Sequence, residues 1–269
     1  MKKKQTFEEY LRRENLSKNT IDAYVWTVNY FNDNYDGPTR ENLLAYKGYL
    51  TEYFKPKTAN LRIQALNKYL VFLGKETDKI RSVKVQQKSF LENVISNADY
   101  LFLKKKLKKD GRLEWYFVVW FLCATGARVS ELIKIKAEHV ACGYLDLYGK
   151  GGKLRRLYIP KKLRDEASEW LKNIGLTSGY IFLNRYGERI STRGISHQLK
   201  SFATEYGLDP KVIYPHSFRH RYAKNFLERF NDIALLADLM GHESIETTRI
   251  YLRRTAGEQQ AIVDEVVTW

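Results

Sequence analysis

Apolar positions recur at helical spacing along almost the whole chain, and only one stretch alternates as a strand would. Residues 6–76 predict helices alone. TFEEYLRREN is a short first one. SKNTIDAYVWTVNYFNDNY sets Ile21, Tyr24, Val25, Val28 and Phe31 on one face, with Ser17 or Asn19 as its cap. Gly37-Pro38 makes a turn, Thr39 opens RENLLAYKGYLTEYF, and KPKTANLRIQALNKYLVFLG runs to a stop at Gly74. Residues 77–93 lack periodicity, are rich in Lys, Gln and Ser, and read as a linker. From Val94 the helical pattern resumes. LEWYFVVWFLCATG is apolar all round, which predicts a buried central helix, and ARVSELIKIKAEHV predicts the next one. YLDLYG and KLRRLYIP flank Lys150-Gly151-Gly152 and predict a β-hairpin, and GYIFLNRYG predicts a short strand or extended piece. KKLRDEASEWLKNIG, STRGISHQLKSFATEYG and the tail AGEQQAIVDEVVTW are helical again. The fold expected is mainly α with a small β-hairpin, in two domains: residues 1–76, a linker at 77–93, and residues 94–269.

Charge narrows the partner. Lys and Arg outnumber Asp and Glu 46 to 31, a net +15, which suits a polyanion: nucleic acid or an acidic membrane surface. The basic start MKKKQTFEEY runs into a charged amphipathic segment where a signal peptide needs an apolar core, and FVVWFLCA is too short to span a bilayer, so a cytoplasmic protein is expected. Cys123 and Cys142 make no disulfide framework and no C-x-x-C spacing occurs, so no metal is expected. The hairpin glycines lack the G-x-x-x-x-G-K-[ST] pattern, which leaves nucleotide binding without support. The run KKKLKK at 104–109 is by default a solvated face, with DNA contact as its alternative.

The chemistry gathers between Ile213 and Leu252. His216 and Arg219 are three apart and share a face of the helix that opens at Pro215. Gly241 ends the apolar run LLADLM, His242 follows at once, and Ser244 caps a helix leading to Tyr251. Arg grips two phosphate oxygens together, an imidazole moves or donates a proton near neutrality, and a phenol is a candidate nucleophile. Taken singly, each residue has a blander reading: a cap, a surface histidine, one of 19 tyrosines.

In combination, T-G-x-R-x-S-E-L around Arg128, the G-K-G-x-K-x-R hairpin, H-x-x-R, G-H, and a tyrosine nine residues after that histidine resemble the tyrosine recombinase (phage integrase) family. The resemblance implies a four-helix core-binding domain ahead of a catalytic domain that cuts and rejoins DNA with no ATP and no cofactor. Tyr251 would attack a phosphate to give a 3′-phosphotyrosine, with Arg128 and Arg219 on the non-bridging oxygens. Lys150 would protonate the leaving 5′ oxygen, with Lys153 as the alternative. His216 would accept or share the phenol proton, His242 would hydrogen-bond the phosphate, and Glu131 would orient Arg128. His220 could mimic either histidine, but spacing favours His216. His139 and His197 match no motif. Lys55, Lys57, Arg62, Lys68, Lys153 and Arg155 are expected to hold the DNA backbone. Partners implied are double-stranded DNA, a homotetramer on synapsed sites from a free monomer or weak dimer, and an accessory DNA-bending protein; no membrane is involved, and the place of work is the nucleoid. The tail after Tyr251 packs on its own domain or on a neighbour. The chain starts close to the core-binding helices, which points to an invertase, a dimer resolver or an element-borne integrase. Three other readings remain: a silent DNA-binding protein of this fold, a type IB topoisomerase-like relaxase, and, on charge alone, an RNA-binding factor.

Overall fold

Local capping signals fix where the first helices start. In a computed structural model, which describes residues 6–85, 92–148, 154–252 and 256–267, Thr6 and Glu9 form a reciprocal capping box ahead of α1 (Phe7–Arg13). Ser17, rather than Asn19, caps α2 (Lys18–Asn34), and Thr39 caps α3 (Arg40–Tyr53). α4 (Pro56–Phe72) opens on proline, whose missing N–H costs nothing there. The chain divides into two compact units, Met1–Gln87 and Lys88–Trp269. The first has its own core: Phe31, Leu43, Tyr46, Leu50, Ile63, Leu66 and Leu70 from α2, α3 and α4.

The aperiodic stretch after α4 is tied down by side chains. Asn67 Oδ1 accepts from the Ile80 N–H at 2.9 Å and its Nδ2 donates to the Ile80 carbonyl at 2.9 Å. Asn60 treats Val83 in the same way, at 2.7 and 2.9 Å. Two asparagines thus stand in for a neighbouring strand, and Ile80 is buried. Asn67→Ala leaves both backbone groups of Ile80 without partners, so thermal or denaturant melting should show the first unit weakened by about 1–3 kcal/mol.

The second unit is built around α6 (Leu113–Thr125). Tyr116 through Cys123 are all buried, as expected of a helix with no polar face. α5 (Asn97–Lys109), α9 (Lys161–Asn173) and α11 (Pro215–Arg229) pack on it. The lysines of α5 are partly used in this packing: Lys104 Nζ lies 3.4 Å from the Trp120 ring centroid and Lys106 Nζ 5.7 Å from that of Tyr206. β1 (Tyr144–Tyr148) and β2 (Leu154–Tyr158) pair antiparallel, with Tyr144 opposite Tyr158 and Tyr148 opposite Leu154.

One expectation fails here. ARVSELIKIKAEHV is not a single helix but two, α7 (Val129–Leu132) and α8 (Ala137–Cys142). The extended GYIF stretch breaks it: the Ala137 N–H donates to the Gly179 carbonyl at 2.9 Å and the Ile181 N–H to the Ile135 carbonyl at 3.2 Å. The remaining elements are α10 (Thr192–Glu205), α12 (Ile233–Met240), α13 (Ile245–Arg249), a 3-10 turn at Ile250–Leu252, and α14 (Ala256–Val266). No helix among the described residues is long and apolar enough to cross a membrane.

Candidate functional site

Two left-handed glycines bring the ends of α6 and α12 together. Gly126 (φ 63°) ends α6, and a Cβ there would lie 2.4 Å from Tyr222 Cδ1. Gly241 (φ 62°) ends α12, and a Cβ there would lie 2.4 Å from Arg155 Cδ. Both positions need glycine for backbone freedom and for room. The carbonyl ends of these helices then receive cations. Arg219, on α11 and 2% exposed, donates from NH1 to the Gly126 carbonyl (2.5 Å) and from NH2 to the Met240 carbonyl (2.7 Å). Arg128, just before α7, donates to the Gly241 carbonyl at 3.2 Å.

Glu131 binds the arginines together. Its carboxylate accepts the Arg128 backbone N–H at 2.7 Å, the Arg128 guanidinium at 2.9 Å and the Arg155 guanidinium at 2.8 Å. Burial pushes this carboxyl up, but Arg155 and both Arg128 donors outweigh it, and the net shift is downward. Arg155 also donates from Nε to the Leu239 carbonyl at 2.9 Å, so β2 is fastened to the end of α12. A cleft of about 350 Å³ opens over this cluster, lined by Arg128, Glu131, Arg155, Gly241 and His242, with Leu147 and Leu154 from the hairpin.

Tyr251 lies across the cluster. It is 6% exposed, its ring 6.2 Å from His242 in a stacked arrangement (17°) and 5.3 Å from His220. Burial raises its phenol, and Arg219 and Arg128 oppose that rise. His242 Nε2 is 3.0 Å from Arg219 NH2, and His242 Nδ1 is 2.8 Å from Thr248 Oγ1. His216 stands exposed at the rim, 6.5 Å between ring centroids from His220. On the far side of Tyr251, Lys224 of α11 pairs with Glu258 of α14, beside a groove lined by Leu227, Tyr251 and Leu252.

The structure thus gathers Arg128, Glu131, Arg219, His242 and Tyr251, with His216 at the edge. Lys150 and Lys153 lie outside the described residues. Among the expected DNA contacts, Lys55 and Lys57 are exposed. Arg62 instead donates to Thr27 Oγ1 at 2.8 Å and stacks on Trp26 at 4.1 Å, and Lys68 pairs with Glu14 at 2.8 Å. Arg155 faces Glu131, not solvent. Sequence reading passed over Thr248, and it set His220 aside although 216, 219 and 220 share one helical face, which was the available signal.

Burial, with the same cations beside it, keeps the imidazoles neutral. Burial lowers His242 to about 4, helped by Arg219, Arg128 and Arg155; burial with His216 and Arg219 lowers His220 to about 4. Both start from 6.5. Between those values the unfolded chain binds protons that the folded chain refuses. Their stabilisation is therefore complete above pH 6.5 and lost as pH falls toward 4. The melting temperature of the second unit should drop through that window, and His220→Asn should make the drop shallower.

Among known proteins, the sequence model described as the phage integrase family matches residues 94–258. The tyrosine recombinase XerA of Pyrococcus furiosus is 32% identical over 96% of this chain and 91% of its own. The tyrosine recombinase XerD of Listeria innocua is 29% identical over 89% of each. The solved XerA recombinase overlays with a TM-score of 0.55 at 22% identity, covering 96% of this chain and 95% of its own. The Tn1549 transposon integrase, in complex with circular intermediate DNA, overlays with a TM-score of 0.73 at 16% identity, covering 97% and 98%.

Proposed function

The chain belongs to the phage integrase family and is a tyrosine recombinase, and from that premise we propose that it exchanges DNA strands at specific sites through a phosphotyrosine at Tyr251. The observation that carries this reading is the seating of one phenol against a paired set of guanidiniums and a neutral imidazole. Tyr251 Oη attacks the phosphorus in line, and the bond to the 5′ oxygen breaks. The 3′ phosphate stays on the tyrosine, and the deoxyribose hydroxyl is freed. Arg219 and Arg128 take the two non-bridging oxygens, where charge builds in the transition state. The guanidiniums supply what a metal supplies in other phosphoryl-transfer sites. His242 lies beside Arg219 to complete the phosphate's hydrogen bonds, and His216 at the rim takes the phenol proton. Lys150, with Lys153 as the alternative, gives a proton to the leaving oxygen.

Because the phosphotyrosine conserves the energy of the broken ester, a second DNA end rejoins by the reverse attack, and no ATP is consumed. The helical unit before the linker, with Lys55 and Lys57 exposed at the start of α4, clamps one side of the duplex. Four copies act on two synapsed sites, whether the outcome is inversion, resolution or integration.

Covalent trapping tests the proposal. Nicked duplexes from the chain's own genomic neighbourhood lose a short fragment on cleavage, so rejoining is blocked and a slow protein–DNA band persists on a denaturing gel. Peptide mapping should place the adduct on Tyr251, joined to a 3′ phosphate. No band on any duplex that the protein binds would sink strand exchange and leave a binding protein of this fold. Relaxation of a supercoiled circle without exchange would reassign the chain to the relaxases.

A further inference from the structure

Thr248 is fully buried on α13, three residues before Tyr251, and its hydroxyl meets the ring nitrogen of His242 that faces away from Arg219. A guanidinium only donates, so the Nε2 that faces Arg219 carries a lone pair. A neutral imidazole then has its one proton on Nδ1, 2.8 Å from Thr248 Oγ1, which accepts it. Delivering an N–H to a phosphate asks for the opposite tautomer, with the proton on Nε2 and a lone pair on Nδ1. A hydroxyl serves both states, because it accepts in one and turns to donate in the other. An aliphatic side chain of the same shape serves neither and leaves Nδ1 without a partner inside the fold.

We infer that Thr248 is the positioning residue that holds the His242 ring in either tautomer: it accepts from Nδ1–H while Arg219 faces Nε2, and donates to Nδ1 once the phosphate takes over the Arg219 N–H and the proton sits on Nε2. The inference rests on the phosphotyrosine reading for its second half only. Its first half concerns the free chain. The low proton affinity of His242 is consistent with it, since a doubly protonated ring has no tautomer to choose. The neighbouring Thr247 does not share the role, because it is exposed.

The test has a DNA-free arm and a cleavage arm. In the first, the full chain carries nitrogen-15 histidine, the five imidazole spin systems are recorded near neutral pH, and His242 is identified by its loss in His242→Gln. The free wild-type ring should show its proton on Nδ1 with the downfield shift of a hydrogen-bonded N–H, and Thr248→Val should lose that shift. A wild-type proton on Nε2 would overturn the inference outright, whatever the activity. In the second arm, wild type, Thr248→Val and Thr248→Ser are compared on one nicked duplex, chosen by binding selection from a randomised library. Thr248→Val should cleave about tenfold to hundredfold slower at saturating DNA with its Kd unchanged. Thr248→Ser should recover most of that rate, because it restores the hydroxyl without the methyl. Equal losses in both variants, or none in Thr248→Val, would reject the role. If wild type itself forms no covalent product, the phosphotyrosine reading fails, and the spectrum of the free chain still decides the tautomer. If Thr248→Val melts early, Thr248→Ser and the wild-type spectrum carry the decision.

Discussion

Tyr251→Phe should bind duplex DNA with the wild-type Kd and form no covalent complex at any time of incubation. The ring it keeps is the part that packs. Tyr251 shares a buried cluster with Ala223, Leu227, Leu236 and Met240, and phenylalanine fills the same space between His220 and His242. What it loses is the oxygen facing Arg219. An intramolecular hydrogen bond of this kind is worth about 0.5–1.5 kcal/mol net, so the melting temperature should move by only a few degrees. The loss of rate is of another order, because no other group replaces the nucleophile. The guanidiniums around it can polarise a phosphate but cannot accept one. A denaturing gel beside a native one separates the two effects. A covalent band surviving in Tyr251→Phe would move the nucleophile elsewhere, to Tyr214 or Tyr222 beside H-x-x-R, both of which have phenols raised by burial.

Half of this site was legible because its residues sit at element ends that local sequence marks. Gly126 and Gly241 announce helix stops, Pro215 and Ser244 announce starts, and Arg128, His216 and His242 lie within two residues of those signals, while Arg219 and Tyr251 are placed by the helical spacing. The buried helix α6 was equally plain, since nothing polar offers it a wet face. What stayed hidden depends on partners distant in sequence. Nothing within ARVSELIKIKAEHV tells that residues 135–137 will pair with 179–181 instead of continuing a helix. Arg62 and Arg155 look like any exposed basic residue until Trp26 and Glu131 arrive from elsewhere in the chain. Asn60 and Asn67 read as polar positions on a helix, yet they hold the aperiodic stretch that follows.

A field runs through all of this. Two guanidiniums, those of Arg128 and Arg155, share the carboxylate of Glu131 in a partly enclosed cleft, and Arg219 is held nearby by backbone carbonyls. Burial depresses the neighbouring imidazoles, and these guanidiniums add to that and oppose the rise of the Tyr251 phenol. They are also donors for an anion. A phosphate entering the cleft meets donors already aimed by backbone carbonyls and by Glu131, and has to draw one Arg219 N–H off His242.

The two arginines should nevertheless fail differently. Arg128 is 36% exposed in its side chain and leans on Glu131, which stays paired with Arg155 when Arg128 is removed. Arg128→Lys should therefore cost cleavage, about a hundredfold to a thousandfold at saturating DNA, with little change in melting. Arg219 is buried and holds two carbonyls at once, those of Gly126 and Met240, besides facing His242. An ammonium is a single point on a flexible stem and cannot span that fork. Arg219→Lys should lose cleavage to at least the same degree and also strand one of the carbonyls; Arg219→Ala strands both. Each stranded carbonyl costs about 1–3 kcal/mol, and in a unit of this size each kcal/mol lowers the melting temperature by about 2–4 °C. Single-turnover cleavage beside calorimetry reads both quantities. If Arg219→Ala melted with wild type while losing activity, its carbonyl contacts would be incidental, and the junction of α6 and α12 would have to be held by the glycine turns alone.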